Sequence, residues 1–350
     1  MTIILPQSQS RRQILKTGAS AAAGIYMPAI VSAVAQTKHK LKIINTASNT
    51  VQTMQELVKQ LGYFDEFGIE VEALNVSDGS KVMASLISGE VDAVMLAGFS
   101  QVVPAIEKGA RLKIIAGALL KSNSMIYTSR PDIHTVHDLV GKTIGTGAVG
   151  SSLHTLVTAL LRKHGVEEKQ VKFLNVGSAT DVFKAVAAGI VDAGPSQVEF
   201  QDQAAKLNIK ALPDGKFWEQ LPEYSDQGSF TADRTIAGRR DALVRLLAAF
   251  GKTYRFVSAP GSKDAYIKAR VAALGPKADI PGGELLWQFM QDFQPYALNL
   301  ALSEERIAVT QKVNIEQGVQ KVTLPYDRVT DMSIARDAVA MMGGPADHKG

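Results

Sequence analysis

Six short loops carry the side chains best suited to hold a small molecule. In the first half they are Thr46-Ala47-Ser48-Asn49-Thr50, Ser77-Asp78-Gly79-Ser80 and Gly98-Phe99-Ser100-Gln101. In the second they are Thr146-Gly147-Ala148-Val149-Gly150-Ser151-Ser152, Gly177-Ser178-Ala179-Thr180-Asp181 and Pro195-Ser196-Gln197. Most run straight into a helical pattern, where backbone N–H groups stay free at the positive end of the helix. Neutral donors of this kind suit a small polar or anionic ligand. The same residue types also cap helices everywhere, so the site depends on the loops converging. Ser48, Ser100 and Ser151 are the strongest single candidates. The loops carry the acids Asp78, Asp181 and Glu199 and few bases: Lys81, with Arg130 and Arg234 near the expected crossings. A strongly charged dianion is therefore not expected without an arginine clamp.

Other motifs offer weaker chemistry. Gly145-Thr146-Gly147-Ala148-Val149-Gly150 matches G-x-G-x-x-G between a strand and a helix, the context of a dinucleotide fingerprint. The acid that should end the next strand is missing, since Leu174-Asn175-Val176-Gly177 offers only Asn175. The glycines read better as letting backbone approach a ligand closely. His134 and His137 have no further His or Cys nearby, which disfavours zinc. There is no G-x-S-x-G elbow, and no acid pair is singled out by its surroundings. His154, one turn into a helix, is expected at the surface. Phe99 reads either as core or as a stacking wall at the cleft mouth. No catalytic residue, metal or cofactor is expected.

Alternating strands and helices must position these loops. Leu41–Ala47, Ile69–Val76, Val91–Ala97 and Leu112–Leu119 read as strands. Val51–Leu61, Ser80–Ile87 and Val102–Glu107 have helical spacing. Single helices between strands require crossovers and hence a mainly parallel sheet. Shifting the chain by 100 residues lays Leu41–Ala93 on Gly141–Ala193 without a gap. Leu74-Asn75-Val76 meets Leu174-Asn175-Val176, Gly89 meets Gly189, and Val91-Asp92-Ala93 meets Val191-Asp192-Ala193. Two related α/β units follow. Beyond them Val244–Phe256, Leu285–Phe293, Glu304–Gln317 and Met332–Met341 are helical and expected to cover the first lobe. The crossings are placed near Lys121–Ser129 and Gln227–Gly238, making a double hinge.

The 350 residues are 46% apolar and 21% charged, ordinary globular composition, with no Cys. That excludes disulfide frameworks, thiolate metal sites and Cys nucleophiles. Ser10-Arg11-Arg12-Gln13-Ile14-Leu15-Lys16 resembles a twin-arginine export signal, followed by an Ala-rich stretch and the small-x-small site Ala33-Val34-Ala35. Residues 1–35 are thus expected to be a cleaved signal. Removing Arg11, Arg12 and Lys16 from the 38 basic residues leaves 35 against 34 acids, a net of +1. No basic stripe carries interleaved aromatics, so no nucleic-acid partner is expected.

Gly62-Tyr63-Phe64-Asp65-Glu66-Phe67-Gly68-Ile69-Glu70-Val71, Ile87-Ser88-Gly89-Glu90-Val91-Asp92-Ala93 and Asp138-Leu139-Val140-Gly141-Lys142-Thr143-Ile144-Gly145 resemble stretches of ABC-importer substrate-binding proteins. The resemblance is to the nitrate/sulfonate/taurine and thiamine-pyrimidine type. Val322-Thr323-Leu324-Pro325-Tyr326-Asp327 and Asp331 are similar to its C-terminal region. It implies an α/β, two-lobed periplasmic binding protein type II fold, each lobe a mainly parallel sheet flanked by helices. Lobe 1 is expected over 36–125 plus 236–350 and lobe 2 over 126–235. By the same resemblance, ligand contacts come from Ser48, Asn49, Asp78, Gly79, Ser80, Phe99, Ser100, Gln101, Ser151, Ser152, Ser178, Thr180, Ser196 and Gln197. The implied partners are a small-molecule ligand, an ABC permease in the inner membrane and the twin-arginine export machinery, for a monomeric periplasmic protein. The cysteine-rich motif of the synthesising branch is absent. An exported nucleotide-dependent oxidoreductase using Gly145–Gly150, and a sensor input protein of the same fold, are the alternatives.

Overall fold

The structure, a computed structural model, describes residues 38–276 and 278–344. The expected signal, residues 1–35, lies outside the described residues. The strands are β1 His39–Thr46, β2 Ile69–Val76, β3 Ala93–Ala97, β4 Leu112–Gly117, β5 Ser124–Thr128, β6 Thr143–Thr146, β7 Lys172–Asn175, β8 Ala193–Gln197, β9 Lys210–Lys216 and β10 Gly228–Ala232. They form two five-stranded sheets, ordered β2-β1-β3-β10-β4 and β7-β6-β8-β5-β9. β1 pairs parallel with β2 and β3, and β6 pairs parallel with β7 and β8. In each sheet one strand runs against its neighbours: β10 in the first and β5 in the second.

Those two strands are exchanged between the halves. The chain leaves the first sheet after Gly117 and enters the second at Ser124, then returns to the first at Gly228. Gly228–Ala232 falls inside the 126–235 stretch assigned to lobe 2, yet its hydrogen bonds run to β3 and β4 of the first sheet. The sequence pattern could not show this, because a five-residue apolar strand reads alike in either sheet.

Burial explains the strand compositions. β3, β5 and β10 are central and buried along their whole length, and their sequences are apolar or small throughout. β2 is an edge strand, and its Glu70 and Glu72 alternate with Ile69 and Val71. The helices Asn49–Gln60, Gly79–Ser88, Ser152–Lys163 and Ala179–Ala187 start where β1, β2, β6 and β7 end. Their N-cap side chains are Ser48, Asp78, Ser151 and Ser178, each accepting a backbone N–H of its first turn.

The C-terminal helices do more than cover the first half. Lys263–Leu274 packs on Asn49–Gln60, and Ser333–Met341 on Asp233–Val257. Ile280–Phe293, however, packs on Val198–Phe200 and Gln201–Lys206, and Glu304–Glu316 touches Ser152–Lys163, all in the second half. Among the described residues no helix is long and apolar enough to cross a membrane.

Candidate ligand-binding cleft

The carboxyl ends of β1, β2 and β3 face those of β6, β7 and β8 across a cavity of about 280 Å³. Thr46 to Ser48, Ser77 to Gly79, and Ala97, Gly98 and Gln101 line it from the first half. Gly147, Ala148, Ser151 to Leu153, Asn175, Gly177 to Ala179 and Gln197 line it from the second. Ligands of parallel α/β sheets bind at this end of the strands. Val82, Met83, Leu153 and Phe230 supply an apolar wall, so the cavity combines a few polar groups with greasy surface.

Of the expected contacts, Ser48, Asp78, Gly79, Gln101, Ser151, Ser152, Ser178 and Gln197 lie on the cavity. The others are held elsewhere. The Asn49 amide donates to Glu199 Oε1 at 3.1 Å. Ser80 gives its backbone N–H to Asp78 Oδ1 at 2.8 Å, and its side chain is exposed. Phe99 is 1% exposed and packs among Val102, Val103 and Phe230, so it is core and not a stacking wall. Ser196 is fully buried and donates to the Ala179 carbonyl at 2.7 Å. Thr180 is partly buried and does not line the cavity; its hydroxyl has no partner. Ser100 is buried and bridges the halves: its Oγ lies 3.0 Å from Ser152 Oγ.

That bridge marks how closely the halves approach. Asn314 donates its amide to the Ser100 carbonyl at 2.9 Å, fixing the Ser100 loop from behind. A Cβ placed on Gly98 would run into the Ser152 side chain. Only glycine allows this contact; its φ lies outside the left-handed region, so the requirement is steric.

The glycine-rich loop splits in role. Gly145 packs against Val176 and Val191, with a Cβ there 3.1 Å from Val191 Cγ2, so it lets the segments flanking the neighbouring strands approach closely. Gly147 lies on the cavity. His154, expected at the surface, is 2% exposed and stacks edge-on with Phe173 at 4.5 Å. Its Nδ1 accepts from Gly150 N–H at 3.4 Å, and its Nε2 lies 3.5 Å from Glu168. Burial lowers its pKa, and Glu168 works in the opposite direction.

Asn123, Ser124, Asp226 and Gln227 line the cavity from the two crossings. The sequence placed the crossings near Lys121–Ser129 and Gln227–Gly238, with Asp226 just outside, and gave no signal that these residues line the cleft. Burial pushes the Asp226 carboxyl up to about 6, against a hydrogen bond from Ser122 that lowers it. Two of the bases named from the sequence are engaged elsewhere: Arg130 pairs with Asp192 at 2.6 Å, and Arg234 donates to the carbonyls of Leu86 and Ile87.

Beside the cleft lies an ion pair. Arg270 Nη1 stands 2.6 Å from Glu199 Oε2, with side chains 1% and 0% exposed. Burial raises the Glu199 pKa, opposed by Arg270 and by the Asn49 hydrogen bond. Through Asn49, Glu199 also ties the start of the Asn49–Gln60 helix to the second half.

Two sheets that exchange a strand and face a cavity at their loop ends define the two-lobed periplasmic binding protein architecture. Residues 49–260 match the NMT1/THI5-like family, and the chain belongs to it. This agrees with the resemblance read from the motifs. No curated protein matches the chain in sequence. Among solved structures, the MOPS-bound alkanesulfonate-binding protein SsuA of Xanthomonas axonopodis pv. citri has a TM-score of 0.68 at 18% identity, covering 85% of this chain and 97% of its own. The periplasmic nitrate-binding protein NrtA of Synechocystis PCC 6803 has a TM-score of 0.70 at 13% identity, covering 89% and 90%. The desulfurization enzyme DSZB shares the fold at a TM-score of 0.58 and 16% identity, covering 87% and 99%. The fold therefore serves binding proteins and at least one enzyme.

Proposed function

We propose that this protein is an extracytoplasmic solute receptor. It captures a small polar or anionic organic ligand between its two lobes and delivers it to an ABC permease in the inner membrane. The observation that carries this reading is the convergence of six strand-end loops, three from each half, on one cavity. The four helices that begin there direct their N-terminal N–H groups toward the same end of the sheets, which stabilises acceptor groups of a ligand. The exchanged strands β5 and β10 form the double hinge, with the lobe border at the crossings before Ser124 and Gly228. The protein works as a periplasmic monomer, exported by the twin-arginine route and freed of residues 1–35.

A thermal-shift screen tests the reading. A ligand that binds only the native state raises stability by RT ln(1 + [L]/Kd), about 2.7 kcal/mol at a hundredfold excess over Kd. The expected result is a saturable rise in Tm with at least one small organic acid, amide or zwitterion. A hit should also shrink the radius of gyration in solution scattering as the lobes close. A flat response across such a panel would overturn the proposal.

The comparisons do not favour the alternative of a nucleotide-dependent oxidoreductase, and one check closes it. Native mass spectrometry of the exported protein would reveal a retained nucleotide if Gly145–Gly150 served a dinucleotide.

A further inference from the structure

We infer that the ligand of this cavity carries a hydrogen-bond-donating or protonated nitrogen, met by the Asp226 carboxylate. The inference rests on the receptor reading and narrows its ligand class.

Three observations carry it. First, no Lys, Arg or His occurs among the described residues lining the cavity, whereas two carboxylates do, Asp78 and Asp226. Second, the two carboxylates are not equivalent. Asp78 is exposed and caps a helix through Ser80 N–H, so its charge already faces a helix N-terminus and water. Asp226 sits at the crossing, partly buried; it accepts a hydrogen bond from Ser122 and, among the described residues, is in no ion pair with a base. Third, Gln197 lines the same cavity, is 4% exposed, and its Oε1 has no hydrogen-bond partner. A buried acceptor without a donor costs free energy, and a donor on the ligand would recover it.

A simple sulfonate or nitrate would set like charge beside Asp226 with no cation to offset it. A molecule with a nitrogen donor at one end and an acceptor at the other matches both walls. The donor meets Asp226 and Gln197; the acceptor meets the free N–H groups behind the caps at Ser48, Ser151 and Ser178. Asp226 thus repels plain anions as well as attracting a nitrogen. The raised Asp226 pKa is consistent with a carboxylate held without a counter-charge.

The test measures binding to matched pairs at pH 7.5: taurine against ethanesulfonate, γ-aminobutyrate against butyrate, and benzamidine against benzoate. Titration calorimetry is run on the unsubstituted protein, Asp226→Asn and Asp226→Ser, with circular dichroism to verify folding. The nitrogen-bearing member of at least one pair should bind tenfold or more tightly than its partner. Both Asp226 variants should lose tenfold or more of that affinity, while the nitrogen-free partner binds unchanged or better. Tighter binding of a nitrogen-free anion, or unaltered amine affinity in either folded variant, overturns the inference. If no member of any pair binds any form while the thermal-shift screen finds another ligand, the inference falls and the receptor reading stands.

Discussion

The two halves are alike where they fold and unlike where they face the cavity. Asp92 and Asp192, 100 residues apart, make the same three contacts. Each accepts a backbone N–H from the neighbouring strand at 2.8 Å, from Lys42 and Thr143. Each gives its carbonyl to a threonine on the exchanged strand, Thr231 at 2.6 Å and Thr128 at 2.7 Å. Each binds an arginine, Arg239 at 2.5 Å and Arg130 at 2.6 Å. Gly89 and Gly189 both turn the chain with positive φ, 87° and 67°. At the cavity the same offset pairs Ala47 with Gly147, Asp78 with Ser178, and Ala97 with Gln197. Matching backbone positions carry different chemistry. The shared residues hold the fold together, and the divergent ones face the cavity.

Substitutions at four positions can break or sharpen this contrast. Arg270→Ala should have the largest effect. It strands Glu199 without its counter-charge, and such losses cost about 3–5 kcal/mol. Urea denaturation checks it; a loss below 1 kcal/mol would make the pair incidental. Asp92→Ala and Asp192→Ala come next, each orphaning a strand N–H and removing the carboxylate partner of a part-exposed arginine, at about 1–3 kcal/mol. The contrast requires the two costs to agree closely, so a large imbalance in parallel denaturation curves would undo the claimed equivalence. Gly98→Ala should lower stability as well as weaken ligand binding by tenfold or more, since its methyl would run into the Ser152 side chain across the cleft. Calorimetry with any screened ligand decides it, and unchanged affinity would mean that closure does not need this contact.

A smaller, pH-dependent effect comes from His154. Burial lowers its pKa in the folded state below the unfolded value. The unfolded chain therefore binds more protons just below pH 6.5, and the contribution to stability is full above that pH and lost as pH falls toward the folded value. Comparing the unsubstituted protein with His154→Gln at pH 7.5 and 5.5 isolates it, since Glu168 is the acidic neighbour at 3.5 Å. The histidine protein should lose more stability on acidification than the variant; equal losses would show that His154 stays uncharged without cost.

Much of the fold could be read from local pattern. The N-caps Ser48, Asp78, Ser151 and Ser178 were legible because capping depends on residues one turn apart, and all four border the cavity. The strand Ile69–Val76 and the helix Val102–Glu107 fall where alternation and spacing put them. What stayed hidden depends on long-range placement. Asp226, Gln227 and Asn123 reach the cleft only because the chain changes sheets on either side of it. Asn49 was expected to touch a ligand, but Glu199, 150 residues away, takes its amide. His154 reads as a surface residue until Phe173 covers it.

The central claim is that the six loops close on a guest. Hydrogen exchange with and without a screened ligand tests it most directly. The account predicts added protection confined to segments 46–50, 77–80, 97–101, 147–153, 175–180 and 196–198 and to the crossings around 123 and 226. Protection appearing instead on the outer helices, with these segments unchanged while ligand is bound, would contradict it.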